Sequence, residues 1–406
     1  MEQKKIVVLN DLLPAEQPGA ASIALGIANY LNTSFSSQYW STSTNARSAT
    51  DNHNHLRILQ ISENLAKQSS LGLGNKLRIE YFSLHPLIWI WKQIREEKPA
   101  AVSVQQIGNR IPRAAIPLFV LLRIPVVCTL HDFGWIVPRK LFPDDLSVPV
   151  SDLPPRLSSE NDIKVRNRLK LNGGSPKKQL IVQLRLSLNR RILNSCSSVI
   201  AISELQAQIY ESFGFRIDRI IPNNVEECKC ADLHGIQRQD NTLLFAGRAY
   251  AKGLDQVLEL VDSDPGLTLY LAGPQDLQRR AETRLNSSQY RYLGNLSHEE
   301  LFRLIHEVGF VVVLSECFDV YPTITLEAIA HGALVLTNQN TGNHNLISDI
   351  NPELVIGNIS NFDFKRVQKN AHQTRTSINF VDTKRKVSNG KMFEAYRDVF
   401  TRILTH

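Results

Sequence analysis

The sequence predicts an α/β fold made of two doubly wound domains, and three observations carry that prediction. Short apolar runs, such as residues 6–9, 126–130 and 310–314, alternate with helix-length amphipathic stretches. Strands so short and apolar, separated by helices, belong to parallel sheets covered on both faces. The alternation is interrupted at Pro222-Asn223-Asn224 and then restarts, which places a domain junction there. At 406 residues the chain is also long enough for two cores.

In the first half, residues 6–9 read as a strand, Pro18-Gly19-Ala20 as a turn and 21–31 as a helix. Residues 41–55, rich in Ser, Thr, Asn and His, read as a loop. Residues 78–82 read as a strand, 86–97 as a helix opened by proline, and 101–104 as a strand. A helix over 112–122 and a buried strand over 126–130 follow. From 138 to 183 the alternation stops, and Pro, Ser and Asp give way to a basic run including Lys164, Arg166, Arg168 and Lys170. A loop this long in a compact domain ordinarily has a use, here an excursion that contributes to a cleft. A helix over 180–193, a strand over 198–202, a helix over 204–212 and a strand over 219–221 complete the half.

In the second half, 242–246, 267–271, 310–314 and 334–337 read as strands, and 254–261 and 298–306 as helices. Phe393, Tyr396, Phe400 and Ile403 have helical spacing near the end. The expected domains are therefore 1–222 and 223–385, with a C-terminal helix over 386–406 able to pack back towards the N-terminal domain. Two such domains facing one another place a ligand cleft at the carboxyl ends of their strands.

Composition narrows the function. Hydrophobic content of 43% and charged content of 21% describe a soluble globular protein. A net charge of +7 favours anionic partners, but no aromatic-basic platform for stacking bases is present, so nucleic acid is not expected. The five cysteines are scattered, and Cys228-Lys229-Cys230 lacks the spacing of zinc or redox pairs. Reduced thiols in a cytoplasmic protein account for them. The apolar stretch 114–130 is broken by Pro117, Arg123 and Pro125, too interrupted to span a bilayer. A peripheral membrane contact stays open.

The chemistry-bearing residues cluster at predicted strand ends. Residues 315–328 lead from a buried strand through a polar loop into a helix opening near Thr323. Its unpaired N–H groups suit an anion, and Glu327, one turn in, can accept from a pair of hydroxyls. Gly247-Arg248 follows another strand and Lys252-Gly253 precedes a helix. That arginine fork and lysine point charge suit a diphosphate. His131-Asp132 ends the 126–130 strand, where an imidazole can bond a sugar hydroxyl or act as a base. Gly19 permits close backbone approach to a ligand. There is no dinucleotide fingerprint or Walker motif. Each feature alone is equally an ordinary surface turn or strand-end packing.

Together these residues resemble the GT-B glycosyltransferases, and within them the retaining family 4. The resemblance rests on Gly247-Arg248 with Lys252-Gly253, Leu271-Ala272-Gly273, Tyr292-Leu293-Gly294, Thr129-Leu130-His131-Asp132, Ile221-Pro222-Asn223, and 322–332 with its Leu326-Glu327-Ala328. It implies two Rossmann-like domains and transfer of a sugar, with retained configuration, from a nucleotide diphosphate sugar to a hydroxyl. The acceptor class it implies is a saccharide or lipid-linked acceptor of polysaccharide or glycolipid synthesis. By the same resemblance Glu327 holds the ribose, Arg248 and Lys252 bind the diphosphate, and Tyr321, Pro322 and Thr323 line the donor site. His131 contacts the donor sugar, and Asp319, seven residues before Glu327, is the first of the family's two acids. Family members usually carry glutamate there, a second glycine at Ala20, and an acid at Asn345. Neither cofactor nor metal is expected. A sugar-nucleotide epimerase, a phosphorylase and a non-catalytic sugar-nucleotide-binding protein are the alternatives; donor, acceptor and oligomeric state stay open.

Overall fold

The computed structural model describes residues 3–14, 19–44, 56–61, 73–136, 176–225, 237–247, 252–316, 318–388 and 390–405. They divide into two compact units. In the first, the strands are β1 (Lys5–Leu12), β2 (Ser36–Ser43), β3 (Leu56–Gln60), β4 (Ala101–Val104), β5 (Val126–Leu130), β6 (Ser198–Ala201) and β7 (Arg219–Ile220). They form one parallel sheet in the order β3-β2-β1-β4-β5-β6-β7. The connecting helices are α1 (Ala20–Leu31), α2 (Leu73–Phe82), α3 (Leu84–Glu97), α4 (Ala115–Leu121), α5 (Pro176–Asn194) and α6 (Glu204–Ser212).

The second unit, Asn223–Lys391, repeats the plan. Its strands are β8 (Gln239–Ala246), β9 (Thr268–Ala272), β10 (Tyr290–Gly294), β11 (Val308–Val313) and β12 (Leu334–Thr337). They are parallel, in the order β10-β9-β8-β11-β12. Its helices are α7 (Leu254–Asp262), α8 (Asp276–Glu282), α9 (His298–Glu307), α10 (Thr323–Ala330) and α11 (His344–Ile350), then α12 (Phe364–Lys369), α13 (Ala371–Thr376) and α14 (Ile378–Ser388). The last helix, α15 (Lys391–Thr405), belongs to the first unit from Met392 on. Both units are thus doubly wound α/β domains of the Rossmann type, the pair of folds that the GT-B architecture comprises.

The central strands are buried on both faces, as their unbroken apolar runs require. Val308–Val313 is buried along its whole length. In the first unit Ile6, Val8, Ala24, Ile27 and Leu31 share a core with Met392, Tyr396, Val399 and Phe400 of α15. Tyr396 OH lies 2.9 Å from Thr129 Oγ1, so the last helix is also tied to β5 by a buried hydrogen bond. Among the described residues no helix is long and apolar enough to cross a membrane.

Two local expectations are corrected. Residues 78–82 are the end of α2, not a strand. Ile79 and Tyr81 are buried, yet Glu80 between them also turns inward, 2.7 Å from Arg113 and 2.8 Å from Arg185. Three consecutive inward residues fit a helix and not the alternation of a strand. Residues 41–43, expected in a loop, end β2, which pairs with both β1 and β3; the rest of that stretch from 45 to 55 lies outside the described residues. The excursion expected from 138 to 183 falls outside them as far as 175, and from Pro176 it is already α5.

Candidate functional site

A doubly wound sheet binds ligands at the carboxyl ends of the strands where the strand order reverses. In the second unit that point lies between β8 and β11. Gly253, at the N-cap of α7, lies against the end of β11: its φ is +84° and its Cβ, if present, would stand 1.7 Å from the Leu314 carbonyl oxygen. No other residue fits there. Gly273, after β9, is equally confined: an added Cβ would be 2.3 Å from the Gly247 carbonyl oxygen. The Gly273 N–H donates to Gly294 O (2.8 Å) and Tyr292 OH donates to Gly273 O (3.0 Å), so β8, β9 and β10 end in one interlocked rim.

On this rim Lys252 Nζ donates to Asp319 Oδ2. Asp319 is fixed by its backbone: its N–H donates to Asn340 O (2.9 Å), and its carbonyl accepts from Gly342 N–H (2.7 Å). The loop behind it is held by asparagines. Asn338 and Asn340 both donate to Ser315 O (2.9 and 2.8 Å), and Asn343 donates to Pro322 O (3.1 Å). Asn343 therefore braces the start of α10. Asn338 and Asn340 escaped sequence reasoning; the density of Asn after a buried strand, Thr337-Asn338-Gln339-Asn340, was the available signal.

Helix α10 opens at Thr323 with Pro322 at its N-cap, no side-chain cap and no acid in its first turn. Its positive end is therefore not neutralised by a local carboxylate. Glu327 projects one turn further along. Burial pushes its carboxyl up from 4.5 to about 7, and among the described residues it has no hydrogen-bond or ion-pair partner. A half-buried carboxylate without a partner is costly, and hydroxyl donors from a ligand would remove that cost. Tyr321, just before the Pro322 N-cap, has its phenol pushed up to about 12 by burial. At the opposite end of α10, His331 Nδ1 lies 2.8 Å from His306 Nε2 and its ring stacks on Phe302. Burial lowers His331 to about 4, helped by nearby Lys384 and Arg238. This pair packs the helix end and is remote in the fold from Pro322.

In the first unit the reversal lies between β1 and β4. Asp11, fully buried at the end of β1, accepts from the backbone N–H groups of Asn109 (2.8 Å), Arg110 (3.2 Å) and Ile111 (2.7 Å), fixing the loop after β4. Gly19 precedes α1 at φ +88°, and a Cβ there would meet nothing within 4 Å, so the backbone is open at this turn. His131, just past β5, has Nε2 2.8 Å from Gln105 Oε1. Gln105 donates its amide to Ser103 Oγ (2.8 Å) and Thr129 Oγ1 (3.3 Å), which directs its oxygen at the histidine. The proton in that bond thus sits on His131 Nε2. The Asp132 carboxylate accepts from Gly134 N–H (2.7 Å) and Gln106 Nε2 (3.1 Å), holding the loop.

Lys252, Asp319, Tyr321, Pro322, Thr323 and Glu327 thus gather within the second unit, and Gly19 and His131 stand at strand ends of the first. Arg248 and Cys317 lie outside the described residues. Cys128 and Cys196 are buried free thiols. Among the described residues no three His, Cys, Asp or Glu side chains converge as a metal-binding group.

Residues 232–364 match the family described as glycosyl transferases group 1. The matched stretch coincides with the β8–β12 sheet and its rim. Among solved structures, sucrose-phosphate synthase from Thermosynechococcus elongatus is similar with a TM-score of 0.70 at 14% identity, over 98% of this chain and 100% of that one. HepE from Anabaena, solved in complex with UDP-glucose, is similar with a TM-score of 0.66 at 14% identity, over 98% and 99% of the two chains. At such identities the likeness is one of fold. No curated protein sequence matches the chain.

Proposed function

We propose that the protein is a retaining glycosyltransferase, moving a sugar from a nucleotide diphosphate sugar to a hydroxyl of a saccharide or lipid-linked acceptor in polysaccharide or glycolipid synthesis. The observation that carries this reading is the unpartnered carboxylate of Glu327 behind the uncapped start of α10, on the rim that also holds Lys252. The ribose hydroxyls donate to Glu327. The diphosphate lies on the N–H groups near Pro322 and Thr323, with Tyr321 beside it. Lys252 and Arg248 supply the positive charge. Lys252 has three N–H donors, so its bond to Asp319 leaves donors for phosphate, while Asp319 faces the donor sugar. HepE, solved with UDP-glucose, supports the choice of donor class.

In the reaction, the bond from the anomeric carbon to the diphosphate oxygen breaks as negative charge develops on the leaving group. Lys252, Arg248 and the helix N–H groups stabilise that charge, typically the largest catalytic contribution. The acceptor oxygen attacks from the same face, and its proton passes to a diphosphate oxygen, giving the glycoside and the nucleoside diphosphate. His131 bonds the sugar near the reacting carbon, and the open backbone at Gly19 admits the donor. With two basic side chains at the leaving group, the transfer proceeds without a divalent metal. The protein works in the cytoplasm, with a peripheral contact at the inner face of the membrane. The deciding experiment incubates purified protein with a nucleotide-sugar panel and an acceptor panel. A glycoside product supports the reading; free epimerised donor, phosphate-dependent glycan cleavage, or binding without any turnover points to the epimerase, the phosphorylase or the binding protein.

A further inference from the structure

Large apolar side chains stand in solvent on four helices of the first unit. On α3, Leu84 (72% exposed), Ile88 (63%) and Trp91 (45%) recur at helical spacing. They lie opposite the buried stripe of Pro86, Ile90 and Ile94, so the helix is apolar on two faces. On α5, Leu180, Leu184 and Leu188 repeat the pattern, and Phe82 and Leu121 project from the ends of α2 and α4. These helices touch. Leu184 and Leu188 face Tyr81 and Phe82 across an open apolar groove. Arg113 N–H, just before α4, donates to Glu80 O of α2 (2.7 Å). Single exposed apolar residues need no explanation, but a shared helical layer of them does.

The same layer is basic. Residues 78–98, 110–123 and 180–194 hold ten Lys and Arg against three Glu, an excess equal to the whole chain's net charge of +7. Lys92, Arg95, Arg123 and Arg191 are exposed, and the Arg95 guanidinium lies 4.8 Å from the Trp91 ring centre. The three acids are already paired: Glu80 with Arg113 and Arg185, Glu96 with Lys92, Glu97 with Lys5 and Arg57.

We propose that the outer surface of α2–α5 docks on an anionic lipid bilayer, with Leu84, Ile88, Trp91, Leu121 and Leu184 entering the interface and the surrounding Lys and Arg meeting lipid phosphates. Aliphatic and tryptophan tips beside basic residues suit the headgroup boundary. A second copy of the chain is disfavoured as the occupant, because a two-fold contact would set this excess of positive charge against itself. The proposal rests on the peripheral localisation given above, not on the sugar-transfer chemistry.

Full-length protein is floated with phosphatidylcholine vesicles and with vesicles enriched in phosphatidylglycerol, beside two variants: Ile88→Ser/Leu121→Ser/Leu184→Ser and Lys92→Gln/Arg95→Gln. Wild type is expected to float with the anionic vesicles only. The serine variant should bind them at least about tenfold more weakly. The glutamine variant should bind about twenty-five-fold more weakly, at about fivefold per basic residue. Thermal unfolding of all three proteins should coincide, since every changed side chain is exposed. Nucleoside diphosphate titration keeps the two readings apart: vesicle binding without nucleotide binding leaves the surface standing and removes the transferase. Wild type that ignores anionic vesicles, variants that bind as wild type does, or an oligomer dispersed by the serine variant without vesicle binding would each overturn the proposal.

Discussion

Replacing Glu327 with Gln keeps the shape of the side chain and removes its charge, and the structure fixes what should follow. Burial lifts this carboxyl from 4.5 to about 7. At 1.36 kcal/mol per unit, that shift favours the neutral form in the folded protein by about 3 kcal/mol. Between pH 4.5 and 7 the folded protein holds a proton that the unfolded chain has released, so the stability contributed by Glu327 falls as pH rises through that window. The ligand-free Glu327→Gln variant should therefore match wild type below about pH 4.5 and exceed it above about pH 7, by up to about 3 kcal/mol. Nucleotide binding should move the other way. Only the ionised carboxylate accepts from both ribose hydroxyls, so wild-type affinity should rise about tenfold between roughly pH 6 and 8, following the ionised fraction. The terminal phosphate of the ligand titrates with a pKa of about 6, and the variant, which shares that titration, subtracts it. Urea unfolding and calorimetric titration with a nucleoside diphosphate across this range measure both effects. Parallel pH profiles for the two proteins would refute the placement of Glu327 against the ribose.

Four further outcomes are expected. Lys252→Ala should lower the rate of transfer by about 10²–10³-fold with a much smaller effect on acceptor KM, because its charge meets the leaving group; steady-state kinetics in EDTA check this, and turnover should persist there. Gly253→Ala forces a Cβ to within 1.7 Å of Leu314 O at φ +84°, and should cost at least about 2 kcal/mol in urea unfolding together with the loss of nucleotide binding. His131→Ala should slow transfer by roughly 10²-fold or more while nucleoside diphosphate affinity changes little, with His131→Gln recovering part of the rate if hydrogen bonding is its role. Glu97, bonded first to Lys5 and then to Arg57 and Gln38, is held at about 2 against an ordinary 4.5. Its contribution is complete above the unfolded value and lost as pH falls through the folded one, so the stability deficit of Glu97→Gln at neutral pH should vanish towards about pH 2.

The fold was largely legible because the central strands are buried on both faces and so read as unbroken apolar runs, as in Val308–Val313. Strands with polar sequence were not. Ser37–Ser43 is buried although it is rich in Ser and Thr; Thr42 Oγ1 donates to Asp11 O on the neighbouring strand, a bond that no pattern of hydropathy registers. The segment Arg78-Ile79-Glu80-Tyr81-Phe82 alternates like a strand over five residues, a window too short to separate the two periods. What decides it is the inward turn of Glu80 to arginines from 33 and 105 positions away in sequence. At the site, Glu327 and the opening of α10 followed from local order along the chain. The Lys252–Asp319 pair and the bracing of the 315 backbone by Asn338 and Asn340 join separate strand ends, and only the assembled sheet brings them together.

The central claim is that the β8–β11 rim binds a nucleotide sugar and that the protein transfers the sugar from it. Purified protein incubated with a nucleotide-sugar panel and followed by mass spectrometry tests it most directly. The account predicts binding of at least one donor and its slow hydrolysis to free sugar and nucleoside diphosphate, both undiminished in EDTA and both severely reduced in Glu327→Ala and Lys252→Ala. Donor turnover that survives in those two variants, or no donor bound across the panel, would contradict it.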